Sequence, residues 1–359
     1  MFGKCVLLLT ICFSAPFVFA NDVDLLVQNY TYKHPIVKLK WDWGESIFLY
    51  GLSKYPKFND LLKTYTEKWV EKLPPNIDKS DRCPAALAAV KMVQTGLVPE
   101  GKILAELVEN YIKSETQNEL GTLDHLGHSW HSFFYASSVW VDSLMMYTVF
   151  AGQWGKLKGD KELISFALSQ PMKFAQVLQD PKSGLFWHAY FFQKHQTVPA
   201  DQNFWLRGNG WALTSFIELI DAFTGELEWR FEIGQIIEIF QSLAKSIIQY
   251  QKKNGAFETI LNRPGHSYDE TSGTMLVAYA FAKAHRLGLL DDRYLISAQK
   301  AFAFGQTQLK KSKNGLSLGG ISGPTNPGSG FTYKLVPRKS DLHYGVGAFL
   351  LAASELLGH

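Results

Sequence analysis

The chain has 359 residues, 46 % of them hydrophobic, with 36 Lys and Arg against 33 Asp and Glu for a formal net charge of +3. The two signs are mixed along the sequence, so there is no basic face of the kind a nucleic acid needs. With 3 Cys and no Pro/Ser-rich or low-complexity stretch, neither a disulfide scaffold nor an array divided by linkers is expected.

Residues 1–20 read as a signal peptide: Lys4 precedes an apolar run from Val6 to Phe19, small residues punctuate its end, and Asn21-Asp22 follow Ala20. A lipoprotein reading through Cys12 fails on the bulk of Ile11. The expected product is exported, periplasmic or secreted, with no membrane anchor after cleavage. Cys5 and Cys12 leave with the leader, so Cys83 has no intramolecular partner and stability must rest on a large core. The remainder, 21–359, reads as one domain.

Two kinds of helical pattern alternate along it. Amphipathic stripes such as Leu104, Leu107, Val108, Tyr111, Ile112 and Ile236, Phe240, Leu243, Ile247, Tyr250 predict helices with one wet face. Segments that are apolar or small nearly all round, such as Ser138 to Phe150, Gly208 to Phe223, Thr274 to Ala284 and Val346 to Leu357, predict helices enclosed on every side. Enclosed helices are expected to begin near Trp41, Pro84, Ser137, Gly208, Thr271 and Gly345. Wet-faced ones are expected near Phe58, Lys102, Lys161, Trp229 and Arg293, with Asp22 to Tyr30 as the sixth. Six inner and six outer helices make an all-α fold, a closed (α/α)6 barrel. Gly121, Gly184, Gly255 and Gly315 recur at intervals of roughly 60 to 70 residues, each before a short apolar segment that leads to an inner helix. These connections are expected to carry short strands on one rim, where a pocket would open.

Asp142 stands out on that rim as the sole acidic side chain between Trp130 and Gly155. A carboxylate in so apolar a run either finds a partner or has its pKa raised until it holds a proton, the condition of a general acid. Downstream, Trp205-Leu206-Arg207-Gly208-Asn209-Gly210-Trp211 sets two tryptophans about an arginine, a combination suited to a flat anionic sugar, with Arg207 as a bidentate fork and Trp205 or Trp211 as a stacking face. A buried ion pair of Arg207 with Glu270 or Asp142, and plain core for the tryptophans, are the competing readings. His188 could orient Asp142, bind substrate or pass a proton; His125 and His343 are weaker candidates of the same kind. No spacing of His, Cys and carboxylates suits zinc or calcium, and there is neither a phosphate-binding glycine loop nor a Gly-x-Ser-x-Gly elbow. No cofactor is expected.

These blocks resemble the unsaturated rhamnogalacturonyl hydrolases, glycoside hydrolase family 105, relatives of the unsaturated glucuronyl hydrolases. The resemblance rests on Trp140-Val141-Asp142 with Leu144-Met145, the Trp205 to Trp211 block, Glu270-Thr271-Ser272-Gly273 and His343-Tyr344-Gly345-Val346-Gly347-Ala348, in the family's order. It implies an (α/α)6 barrel, Asp142 as catalytic acid and base, and His188, Trp205 and Arg207 lining the site. Asp78 looks like the family's second acidic residue, with Asp81 as the alternative, and Leu206 stands where the family commonly has glycine. The implied substrate is a small oligosaccharide ending in a 4,5-unsaturated uronic acid, hydrated at its vinyl ether by a protonated Asp142. Two other readings stay open at this point. One is an inverting glycosidase pairing Asp142 with Asp78 or Glu270; the other is a non-catalytic glycan-binding protein. The oligomeric state is not legible.

Overall fold

The computed structural model describes residues 20–358. Apart from Ala20, the expected signal peptide lies outside the described residues. Among them are thirteen α-helices: α1 (Ala20–Lys33), α2 (Trp43–Leu52), α3 (Asn59–Lys72), α4 (Ala86–Gln94), α5 (Lys102–Ser114), α6 (Val149–Lys158), α7 (Lys161–Leu178), α8 (Leu206–Phe223), α9 (Arg230–Ile247), α10 (Thr271–Arg286), α11 (Asp292–Thr307), α12 (Gly330–Leu335) and α13 (His343–Leu356).

Neighbour packing runs α2 to α4, α6, α8, α10, α13 and back to α2, which closes an inner ring of six. Outer helices α3, α5, α7, α9 and α11 pack on their inner partners, and α1 lies against α13. The physical cause is the one the patterns implied. Nearly every residue of α8, α10 and α13 is buried, whereas α9 buries the stripe Ile233, Ile236, Phe240, Leu243 and Ile247 and leaves its other face wet.

Ring closure depends on backbones that nearly touch. A Cβ built on Gly347 of α13 would lie 2.2 Å from the carbonyl oxygen of Ile47 in α2, and one on Gly51 would lie 2.7 Å from that of Gly347. No rotamer can relieve a clash with a main-chain oxygen. Gly347→Ala is therefore expected to cost ~3 kcal/mol or more by forcing α13 away from α2, read as a lowered urea midpoint with native-like circular dichroism below it.

The connections carry seven short strands: β1 (Ser138–Trp140), β2 (Ala189–Phe191), β3 (Gln196–Val198), β4 (Leu309–Ser312), β5 (Gly315–Leu318), β6 (Ile321–Ser322) and β7 (Arg338–Lys339). They pair antiparallel as β1-β2-β3, β4-β5 and β6-β7. Gly121, Gly184, Gly255 and Gly315 all take φ between +68° and +136°, so each recurrent glycine turns a connection that a Cβ would strain. One expected helix begins later than its apolar run suggests. Ser138 to Trp140 is strand, because Val139 pairs with Tyr190, and the helix starts as a π-turn at Leu144–Thr148 before α6.

Candidate active site

The β1-β2-β3 sheet sets three side chains beside one another. Val141 N–H donates to the His188 carbonyl at 2.8 Å, extending the ladder past β1, and His125 N–H donates to the Ser138 carbonyl at 3.0 Å. Asp142 follows at once, its carbonyl accepting from Met145 and Met146 as the π-turn opens. π-Turns are rare and recur at functional sites. This one follows directly on the acidic residue.

Asp142 is 14 % exposed and its Oδ2 lies 3.3 Å from Nε2 of the wholly buried His188, facing it without full hydrogen-bond alignment. Burial pushes the Asp142 carboxyl up, but His188, His125 and Arg207 together outweigh it and hold the group below its ordinary range. The expectation of a proton held at rest is thus corrected: the carboxylate found partners. The His188 pKa is lowered chiefly by burial against the pull of Asp142, which favours the neutral imidazole.

Around this pair runs an arc of rings. Trp43 stacks on Tyr344 with centroids 4.6 Å apart, the Arg207 guanidinium is sandwiched 4.7 Å from both the Tyr344 and Trp205 rings, and Trp205 stacks on His188 at 4.2 Å. His188 meets the edge of Trp140, which stacks on His125 at 4.3 Å. Inner helices α2, α8 and α13 and the β1-β2 ladder all contribute. Tyr135 packs edge-on to Trp140, and beyond it Trp130, Phe133 and Phe134 stand exposed.

Several expected contacts fall elsewhere. Arg207 is 1 % exposed and spends its terminal nitrogens on Ser322 O at 3.1 Å, Gly323 O at 2.8 Å, Thr325 Oγ1 and Ser272 Oγ. It is neither a free fork for a substrate carboxylate nor the partner of an acidic side chain. Its charge still reaches Asp142. Trp211 is fully buried in the main hydrophobic core, one helical turn below Arg207, and is not a stacking face. Leu206, standing where the family commonly has glycine, is fully buried and packs where a Cβ on Gly273 would come within 2.5 Å of its Cγ. Glu270 is fully buried and caps α10, accepting from Ser272 N, Gly273 N, Ser272 Oγ and Ser322 N, which leaves it no catalytic freedom.

The two acidic candidates, Asp78 and Asp81, have different neighbours. Asp78 turns to Arg82, 2.9 Å away, whereas Asp81 lies 3.4 Å from Nε2 of His125, whose Nδ1 meets Ser143 Oγ at 2.9 Å. Asp81 also faces Asp42, the N-cap of α2, whose carboxyl is raised by burial and then by that charge. His343, at the start of α13, meets Tyr30 and lies 3.7 Å from Glu45; burial lowers it to about 4. Tyr333, which sequence reasoning missed, places its hydroxyl 2.8 Å from Nδ1 of His188.

The residues at hand are ionisable groups, rings and amides, and among the described residues no cluster of His, Cys, Asp or Glu could hold a metal ion. Such a site offers proton transfer beside aromatic faces, the chemistry of a carbohydrate-active enzyme. Comparison with known proteins agrees. The chain is 24 % identical over 255 residues to the unsaturated rhamnogalacturonyl hydrolase YesR of Bacillus subtilis, covering 69 % of this chain and 72 % of that one. It is 31 % identical over 170 residues to an unsaturated 3S-rhamnoglycuronyl hydrolase of Formosa agariphila, covering 46 % and 42 %. Among solved structures, a family 105 glycoside hydrolase of C. acetobutylicum superposes with a TM-score of 0.83 at 19 % identity, over 94 % of this chain and 99 % of the other. An unsaturated glucuronyl hydrolase of a Bacillus species does so with 0.69 at 13 %, over 93 % and 95 %. The profile of Glycosyl Hydrolase Family 88 matches residues 23–358, taking in all six inner helices and every member of the Asp142 cluster. With barrel, rim chemistry and profile in accord, the chain belongs to Glycosyl Hydrolase Family 88 and is a glycoside hydrolase.

Proposed function

We propose that this enzyme removes a 4,5-unsaturated uronic acid from the non-reducing end of lyase-generated oligosaccharides, rhamnogalacturonan fragments foremost, by hydrating the C4=C5 vinyl ether. The observation that carries this reading is the placement of Asp142. Among the described residues it is a partly exposed carboxylate facing His188 and free of any cationic side-chain bridge, while Glu270 is committed to a helix cap and Asp81, exposed to a similar degree, is held by Lys79 and His125. A displacement at the anomeric carbon uses two carboxyl groups, whereas hydration of a double bond can use one.

In this mechanism the uronate brings a second negative charge to the rim, and Asp142 takes up a proton as the pair form, since like charges disfavour the ionised carboxyl. Asp142 delivers that proton to C4 as positive charge spreads over C5 and the ring oxygen. The carboxylate so formed accepts a proton from the water that attacks C5. The resulting hemiketal opens and releases the rest of the chain. Arg207, its terminal nitrogens spent on Ser322 and Gly323, acts on the sugar's carboxylate through its field. The sugars beyond the first lie toward Trp130, Phe133 and Phe134.

The test is loss of the ultraviolet absorbance of the conjugated uronate on mixing purified enzyme with unsaturated rhamnogalacturonan and galacturonan oligomers. Loss with the wild type and not with Asp142→Asn is expected. Release of sugar from saturated chains with no loss from unsaturated ones would replace this reading with inverting hydrolysis.

A further inference from the structure

Tyr333 belongs to α12, a six-residue helix in the segment that leads from β6 to β7. Its ring is buried with Trp205 and Ile260, and its hydroxyl oxygen faces Nδ1 of His188 at 2.8 Å on one side and Gly328 N–H at 3.4 Å on the other. The same residue lines a small cleft of about 210 Å³ between Pro324 and Val336, as does Gly328, whose N–H faces the hydroxyl. His188 is thus held between two groups of different character. At Nε2, 3.3 Å away and short of full hydrogen-bond alignment at rest, is a carboxyl oxygen, which only accepts while ionised. At Nδ1 is a hydroxyl, which gives or takes.

A neutral imidazole carries one N–H. With Asp142 ionised that hydrogen belongs on Nε2, and Nδ1 needs a donor. With Asp142 protonated, Nε2 must accept and Nδ1 carries the hydrogen. We propose that Tyr333 is a positioning residue that serves both states, donating to Nδ1 in the first and accepting from Nδ1–H in the second, and that the cleft beside it, Tyr333 and His188 form a proton path to Asp142. One proton enters per passage: a solvent proton reaches the Tyr333 oxygen, the hydroxyl hydrogen passes to Nδ1, and the Nε2 hydrogen passes to Asp142 Oδ2. No charge remains on the ring or the phenol. The role of the delivered proton in catalysis rests on the vinyl ether reading above; the tautomer exchange does not.

The groups facing Asp142 are His188 and His125 from the sheet side, Arg207 from α8 and Tyr333 from α12, with Asp201 acting on Tyr333 from beyond. Burial chiefly raises the Tyr333 phenol, which keeps its hydrogen throughout the working range. Tyr333→Phe keeps the ring and removes both capacities. It harms the protonated state of Asp142 more, because a buried N–H without an acceptor costs more than a bare lone pair. With an unsaturated rhamnogalacturonan disaccharide, kcat is expected to fall about tenfold to a hundredfold with KM within a few fold, and the alkaline limb of kcat/KM to move to lower pH. Since Asp142 starts below the usual carboxylate range, that limb falls with rising pH in the wild type as well. An unmoved limb, whatever the loss in rate, would reduce Tyr333 to packing and overturn the proposal.

A second measurement needs no substrate. Nitrogen-15 spectra of histidine-labelled enzyme, with His188 identified by comparison with His188→Asn, are expected to show the Nε2–H tautomer near neutral pH and a change to Nδ1–H as Asp142 is titrated with acid. A His188 that keeps one tautomer, or becomes imidazolium, would refute the relay. Tautomer exchange without any turnover of unsaturated sugars would instead remove the proposed reaction and leave the relay standing.

Discussion

Asp142→Asn is expected to lower kcat on an unsaturated oligosaccharide by roughly a thousandfold, near the middle of the range found for general acid-base groups, while KM changes by no more than a few fold. The amide is isosteric and its oxygen can still accept from Nε2 of His188, so ladder, π-turn and ring stack need no rearrangement. What it cannot do is carry a proton to carbon and then remove one from water. Because its partners outweigh desolvation and hold the carboxyl below its ordinary range, the charge contributes to stability, so the variant should melt slightly below the wild-type temperature while remaining folded under assay conditions. A variant that lost activity by unfolding would melt below the assay temperature, and one within a few fold of wild-type turnover would take the chemistry away from Asp142.

The second large effect lies at the opposite mouth of the barrel. Glu218 of α8, 4 % exposed, accepts from Tyr50 of α2, from Tyr279 and Lys283 of α10, the last at 2.7 Å, and from Lys54 at 3.1 Å; Lys283 also reaches Asp221 at 2.8 Å. Tyr50, Lys54, Glu218, Asp221 and Lys283 line a cavity of about 530 Å³, and the network ties three inner helices together. Burial alone would raise the Glu218 carboxyl, but the charges of Lys283 and Lys54 prevail and hold it far below its reference value of 4.5. Glu218→Ala leaves Lys283, 3 % exposed, with Asp221, 36 % exposed, as its remaining anion, and is expected to cost ~3–5 kcal/mol. The sign with pH follows from a folded-state pKa below the unfolded one. The contribution is complete above about 4.5 and is lost as pH falls toward the folded value, so the gap in urea midpoint between wild type and variant should narrow on acidification. Equal gaps at pH 7 and pH 4 would mean that the carboxylate is not the stabilising species.

The ring of helices was legible because burial on all sides and burial on one side leave different patterns in sequence, and both are local. The recurrent glycines were legible for a similar reason: each serves the turn in which it stands. The site was legible only where one residue's surroundings are set by its neighbours in the chain. Asp142 announced itself by contrast with its own segment. Its charge state did not, since that depends on His188, delivered by another strand, and on Arg207 from α8. Arg207 looked free because the carbonyls that occupy it, Ser322 and Gly323, come more than a hundred residues later. Trp211 shares a helix face with Arg207, and the depth of one turn separates rim from core. Between Asp78 and Asp81, the 3-10 turn at Ser80–Arg82 decides which carboxyl meets His125. Tyr333 gave no local sign at all, flanked by the exposed Phe331 and Leu335.

Because α13 abuts both α2 and α1, and Val23 and Leu357 line one cleft, the order of helices around the barrel is cyclic. The inner-ring contact that completes it, Gly51 against Gly347, joins positions nearly three hundred residues apart and carries a large loop entropy. A circular permutant opened at the exposed 130–134 turn and tethered between α13 and α1 would make that contact nearly local and hand the long separation to α4 and α6. Folding rate would then report which pair of inner helices is the slowest to find one another, with the catalytic rim unchanged in composition.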